Sequence, residues 1–238
     1  MQIKPARVPA ELLLGLTDSH LALVPELRTH IHNQVVQPLL ALRSSARAAG
    51  FSLQVASSYR SFERQLFIWN AKVGGQRPVL DNDGQPINLK ELSDIEKVHA
   101  ILRWSALPGS SRHHWGTDLD IYESSSIAAD YCVQLTQDEC AGAGPFAAFH
   151  RWLGDAIATG NSFGFYRPYA ADKGGVAPEP WHISYAPLAQ VYARQRTEAL
   201  LRQQLEACDI ALKACILEHL PELFSRYVSV LEGVGSEE

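Results

Sequence analysis

Thr117-Asp118-Leu119-Asp120-Ile121-Tyr122 alternates polar and apolar residues, the period-two pattern of a strand that shows one face to a core. Leu119 and Ile121 fall on the core face, and Asp118, Asp120 and Tyr122 fall together on the other. Just before them stands Ser111-Arg112-His113-His114-Trp115-Gly116. Gly116 lets the chain turn, so His113 on a loop can face the polar side of the strand. Upstream, Phe51-Ser52-Leu53-Gln54-Val55-Ala56 alternates in the same way and runs into Ser57-Ser58-Tyr59-Arg60-Ser61. Ser61 followed by Arg64 and Gln65 reads as a helix start, which puts Arg60 at a strand-to-helix corner. Downstream, Phe163–Tyr166 and Trp181–Tyr185 are short strands on either side of a Gly/Pro-rich loop.

Helices are expected around these strands. Leu27, Ile31, Val35, Leu39, Leu42 and Ala46 recur at three-to-four spacing, which predicts one long amphipathic helix over 25–50, kinked at Pro38 and ended by Gly50. Residues 89–104 and 144–160 read as two more helices, the second placing Phe146, Phe149, Leu153 and Ile157 inward. Residues 74–88 are turn-rich and read as a loop or small hairpin; the aspartate spacing there is wrong for a calcium loop. After Pro187 the chain is almost wholly helix-forming, with an interruption at Pro221. This division predicts a catalytic domain over 1–186 and a helical extension over 187–238, packed on the same domain and offering a homodimer surface.

With 46% hydrophobic and 20% charged residues, the 238-residue chain has the balance of a globular protein, which excludes disordered and collagen-like classes. A formal charge of -5 without a Lys/Arg run gives no footprint for nucleic acid, so an anionic substrate must meet a local cation. No apolar run reaches the ~18 residues of a membrane helix. The N-terminal stretch, broken by Pro9 and Glu11, lacks a signal-peptide pattern, which predicts a cytoplasmic protein, or a periplasmic or extracellular one if a leader precedes it. The four cysteines form no CxxC pair, and Cys208 and Cys215, seven apart, are expected on one buried helix face.

The chemistry concentrates in residues 111–120 and 179–182. A catalytic zinc takes three protein donors from His and carboxylate and keeps a fourth position open. His113, Asp120 and His182 supply two imidazoles and one carboxylate. Glu179 precedes Pro180, which biases it away from helix, so this Glu-x-x-His is unlike the helical HExxH of other zinc peptidases. A bend must bring Glu179 and His182 to a common pocket, where the glutamate can take a proton from water and pass it to a leaving amine. Arg60 supplies positive charge for the oxyanion. His114, beside His113, points away from it on an extended segment. Trp181, between base and ligand, is expected to pack beneath the metal.

At these residues the chain resembles a family. SRHHWGTDLD (111–120) is similar to the SxHxxGxAxD motif of the VanY/VanX-type D-Ala-D-Ala carboxypeptidases and dipeptidases of peptidase family M15, EPWH (179–182) to their ExxH, and SSYRSFERQ (57–65) to their SxYRSxxxQ. The resemblance covers about 30–186 and rests on three motifs in the same order. It implies an α+β fold, a small and mainly antiparallel sheet with helices packed on it, and one Zn2+ held by His113, Asp120 and His182. It implies Glu179 as base, Arg60 at the scissile carbonyl, and Gln65 and Ser111 as substrate-binding side chains. Asp118 departs from the pattern, standing where the family has a small apolar residue. The function expected is a zinc carboxypeptidase releasing terminal D-alanine from peptidoglycan stem peptides. Alternatives are an L,D-carboxypeptidase trimming tetrapeptides in cell-wall recycling, a peptidoglycan endopeptidase, and a non-catalytic zinc-stabilised peptidoglycan-binding module.

Overall fold

The computed structural model describes residues 7–82 and 84–229. Its elements follow as α1 (Ala10–Leu14), β1 (Leu21–Val24), β2 (Thr29–His32), α2 (Val36–Ala48), β3 (Leu53–Ser57), α3 (Phe62–Val73), α4 (Asp94–Leu102), β4 (Asp118–Glu123), α5 (Gln137–Cys140), α6 (Ala147–Ala158), β5 (Phe165–Tyr166), β6 (His182–Tyr185), α7 (Ala186–Gln195), α8 (Glu198–Ala207) and α9 (Lys213–Leu223). The strands β3, β4, β6 and β5 lie in that spatial order as one antiparallel sheet, and β1 pairs with β2 separately. Alternation along β4 does what it predicts: Leu119 and Ile121 join Leu53 and Ile183 against Leu39 and Leu42 of α2 and Phe149 and Leu153 of α6. The fold is α+β, as expected. The polar face of the sheet is left for the site.

The long helix predicted over 25–50 is three structures. Pro25–Leu27 is a single 3-10 turn, Arg28 takes a left-handed conformation (φ 50°), and Thr29–His32 pairs as a strand with Leu21–Val24 before α2 begins at Val36. All six residues of the apolar repeat are nevertheless buried in one cluster. Burial was periodic while the backbone was not: Leu27 and Val35 turn inward from two 3-10 turns and Ile31 from the strand between them. Pro38 makes no interior break, since it lies in the first turn of α2, where the amide has no helical acceptor. The helix expected over 89–104 starts later, at Asp94, behind a Ser93–Glu96 capping box.

The C-terminal helices break at Arg196–Thr197 and over Cys208–Leu212, whereas Pro221 sits inside α9 and a π turn, Phe224–Val228, follows it. Thr197 restarts the chain as an N-cap, accepting from the Leu200 amide. Cys208 ends α8 and Cys215 belongs to α9, so they share no helix; both are half-buried. Leu201 and Leu205 of α8 and Ile216 and Leu220 of α9 pack on Trp69 of α3 and Ile101 of α4. That apolar stripe is spent inside the chain and does not remain as the dimer face read from the sequence. Among the described residues no helix is long and apolar enough to cross a membrane.

Candidate active site

Register places the first two groups. Asp120 of β4 lies directly opposite His182 of β6, and directly opposed residues in a sheet project their side chains on one face. On the other side Asp120 faces Ser57, at a register shift between Val55 and Ser57 of β3, a distortion of the kind that re-aims side chains beside active sites. His113 arrives on a 3-10 turn, Arg112–Trp115, closed by Gly116 at φ 66°. A Cβ on Gly116 would stand 2.7 Å from the His32 amide nitrogen, so only glycine allows this turn to sit against β2. The Arg60 amide then donates to the His113 carbonyl (3.1 Å), tying the strand-to-helix corner to the histidine loop.

The three predicted ligands converge. Donor atoms of His113, Asp120 and His182 lie within 4.8 Å of one another, and all three residues are buried. His113 Nε2 is 3.4 Å from Asp120 Oδ2, and His182 Nδ1 is 3.2 Å from Asp120 Oδ1 and 3.3 Å from Glu179 Oε2. The outer nitrogens are committed elsewhere. His113 Nδ1 meets the Ser58 carbonyl at 2.8 Å, and His182 Nε2 meets Asp118 Oδ1 at 3.0 Å. With each outer nitrogen donating, each inner nitrogen turns a lone pair into the cluster.

Asp118 is thereby explained. It is fully buried, accepts from Arg112 Nε (2.7 Å) and from Thr117 Oγ1 (2.7 Å), and so stays an anion that holds His182 in one tautomer. Burial alone would raise the Asp118 carboxyl, but Arg112 and His182 hold it well below the ordinary range. Asp120 is lowered likewise, burial being outweighed by His113 and His182. Burial disfavours the charged form of His182, yet its contacts with Asp118, Asp120 and Glu179 raise its pKa well above 6.5. Asp120 Oδ1 has no hydrogen-bond partner although it is buried. With His182 neutral in the tautomer that Asp118 selects, Asp120 Oδ1 and His182 Nδ1 are two acceptors facing each other across 3.2 Å; a proton on Nδ1 relieves this, hence the raised His182 pKa, and a cation between them relieves it equally. The cluster fits a divalent metal with mixed nitrogen and oxygen ligation.

Arg60, Ser111, His113, Asp120, Glu179, Trp181 and His182 all line one cavity of about 330 Å³. Gln65 does not line it. Its Oε1 accepts from Arg60 Nη1 (2.9 Å) and its Nε2 donates to the Ala106 carbonyl (2.7 Å), so it braces the arginine. His114 is buried between the Arg60 carbonyl (2.6 Å) and the Gly109 amide (3.0 Å) and stays outside the cluster. Among the lining residues that escaped the sequence reading are Arg112, Lys72 and Tyr227. Arg112 bridges Asp118, Tyr166 and Ser184; its position beside His113 was the only signal. Lys72 lines the cavity from α3, and burial, with the charges of Arg60 and Arg77, pushes its ammonium down to about 8. Tyr227 lines it from beyond α9.

The profile of the VanY family, D-alanyl-D-alanine carboxypeptidase, matches residues 28–188. The chain belongs to this family. An uncharacterised protein of Haemophilus influenzae is 45% identical over 104 residues, covering 42% of this chain and 71% of its own. A D-alanyl-D-alanine carboxypeptidase of Enterococcus faecalis is 30% identical over 147 residues, covering 60% of this chain and 44% of its own. Among solved structures, a vancomycin-resistance D,D-pentapeptidase VanY, a Glu-to-Ala variant in complex with Zn(II), aligns with TM-score 0.50 at 25% identity, covering 89% of this chain and 94% of that one. The family match ends near the start of α7, so α8, α9 and Tyr227 lie outside it.

Proposed function

We propose that the chain is a zinc-dependent carboxypeptidase that releases the terminal D-alanine of peptidoglycan stem peptides ending in D-alanyl-D-alanine. The observation that carries this reading is Glu179, a carboxylate at the cavity wall with Oε2 3.3 Å from His182 Nδ1 and, among the described residues, in no other ion pair. A site built only to hold a metal needs no such group. The family, and the D,D-pentapeptidase solved with Zn(II), support both the substrate class and the metal.

His113 Nε2, Asp120 and His182 Nδ1 would hold one zinc ion, which supplies Lewis acidity toward a carbonyl and toward water. Glu179 takes a proton from the attacking water and returns it to the leaving amine, so one carboxylate serves as base and then as acid. Water adds to the scissile carbonyl carbon, the C–N bond breaks, and free D-alanine leaves. Arg60 Nη1 is held by Gln65 and Nη2 by Ser57 Oγ (3.3 Å), which fixes the guanidinium where negative charge develops on the carbonyl oxygen. Ser111, buried on the loop before His113, lines the same cavity and is placed to hold substrate. Incubating the zinc-loaded protein with stem tetrapeptide and pentapeptide, read by mass, tests the proposal. D-alanine release from pentapeptide, absent in Glu179→Ala, is expected; no release from either peptide would sink it.

A further inference from the structure

Arg60 stands between two cavities. On one side it lines the catalytic cleft, and on the other it lines a groove of about 420 Å³ together with Arg28, Arg64 and Arg77. The groove floor carries hydroxyls, those of Thr29, Ser57 and Ser58. A chain of formal charge -5 has therefore gathered four arginines into one depression that shares Arg60 with the cleft.

These cations are not neutralised from within. Among the described residues, no carboxylate lies within 4 Å of Arg28, Arg64 or Arg77, whereas the surface arginines Arg103, Arg202 and Arg226 each have one. Asp18 and Glu63 make their charge felt at Tyr59 but pair with none of the three. Arg64 and Arg77 instead rest on the ring of Phe67, with their guanidinium carbons 5.4 and 6.0 Å from its centroid. Phe67 is more than half exposed, so its ring is a buttress that aims two guanidinium groups at the surface. The cations also repel one another. Burial first, and then Arg64 and Arg77, lower the proton affinity of Arg60, against the pull of Asp120 and Glu179 on the catalytic side. Clustered like charges without a counter-ion cost stability, and an anion bound among them returns it.

We propose that this groove is a subsite for a second, non-reacting carboxylate of the substrate, so that the enzyme selects acidic peptides. Two guanidinium groups held on one ring present the paired donors that a carboxylate accepts, and the Ser57 hydroxyl, with whichever of the hydrogen-bonded Thr29 and Ser58 hydroxyls keeps its proton, adds donors around it. The proposal rests on the carboxypeptidase reading for its substrate but not for its binding chemistry.

The test uses the full zinc-loaded chain and pentapeptides ending in D-alanyl-D-alanine. Each has one glutamate, placed in turn at each position before the terminal pair, and each has a glutamine twin. At one position the acid should exceed its twin in kcat/KM by about tenfold, the size of one charge-assisted hydrogen bond. In Arg64→Ala/Arg77→Ala that advantage should fall to about twofold or less. Acid and amide treated alike by the wild type, or an advantage that survives the double substitution, would overturn the subsite. So would tighter binding of inorganic pyrophosphate than of any acidic peptide, which would make the groove a phosphate site. Calorimetry on Glu179→Gln separates this proposal from the one beneath it. Acid-dependent binding there, with neither peptide hydrolysed by the wild type, would keep the subsite and remove the carboxypeptidase. Thermal unfolding of the double variant, expected to match or exceed the wild type, checks that the fold is intact.

Discussion

The cleft is lined by a polar set, Arg60, His113, Asp120 and His182, and by a largely apolar one, Leu80, Leu102, Trp104, Val176 and Tyr227, and the two are held differently. The polar wall is fixed by sheet register and short hydrogen bonds: Asp120 against His182, the Arg60 amide on His113, His113 Nδ1 on Ser58. The apolar wall depends on packing and long reach. Tyr227 comes from the π turn beyond α9, with its hydroxyl 2.9 Å from His99 Nδ1. Arg226 Nε donates to the Gly174 carbonyl (2.5 Å), and a Cβ on Gly175 would meet the Arg226 carbonyl at 2.3 Å. Buried Arg196 ties the Ser110 carbonyl, at the start of the histidine loop, to the Val228 carbonyl. One wall thus carries the groups proposed to react and the other holds shape. Substitutions should divide along that line.

Glu179→Gln removes the proton carrier and nothing that supports the fold. We expect kcat/KM to drop by about 10²–10⁴-fold while the urea midpoint stays near that of the wild type. A loss under about tenfold would take Glu179 out of the proton path and erase the sharpest contrast between the walls.

Asp118→Asn should blur the contrast instead, because this residue serves chemistry and fold together. The buried Arg112 guanidinium, joined to Asp118 at 2.7 Å, would lose its counter-charge, at a cost of about 3–5 kcal/mol in urea unfolding. His182 would lose the partner that sets its tautomer, and zinc affinity measured by chelator competition should fall by about 10–100-fold. Unchanged zinc affinity would show that His182 needs no such anchor.

That double role also marks where the sequence was legible. Alternation over residues 117–122 put Asp118 and Asp120 on one face, and β4 does so, because a strand's period needs no knowledge of its neighbours. The convergence of the three candidate ligands was legible because each sits in a short segment whose residue types have few other uses. Arg60 at its corner, the Ser61 cap and the α2 terminus at Gly50 were equally local. What failed was non-local. Leu27, Ile31 and Val35 pointed inward at helical spacing, but Thr29–His32 became a strand because Leu21–Val24 was there to pair with it. Gln65 resembled a substrate contact and was turned inward by Arg60 and Ala106. Tyr227 meets His99 across 128 residues, and no periodicity in either segment reports the other.

Acid should weaken the sheet layer. His32 and His150 are buried there, and burial lowers them to about 4 and about 3 from 6.5, with His20 adding to the first and Arg167 to the second. Folded, both stay neutral where the unfolded chain takes up protons. The stability these two contribute is therefore full above pH 6.5 and falls as the pH drops toward 4, by up to about 1.4 kcal/mol per pH unit for each residue. Urea midpoints between pH 7 and 4.5 check this. His150→Gln should flatten the slope, and an unaltered slope would place the acid sensitivity elsewhere.

The smallest effect expected is the most direct test of the division. Tyr227→Phe keeps the ring in the cleft and removes only the hydroxyl at His99, so it should cost about 1 kcal/mol or less in stability and leave kcat unchanged. Tyr227→Ala removes the ring itself and opens the cleft toward Val176 and Leu102. A wall that holds shape alone should answer through KM, because the lost contact is made equally by bound substrate and by transition state. The pair therefore reads the same position twice, once for anchoring and once for shape. If Tyr227→Ala lowers kcat as far as Glu179→Gln does, with KM unmoved, then the helices beyond the family match take part in the chemistry, and the cleft has no passive wall.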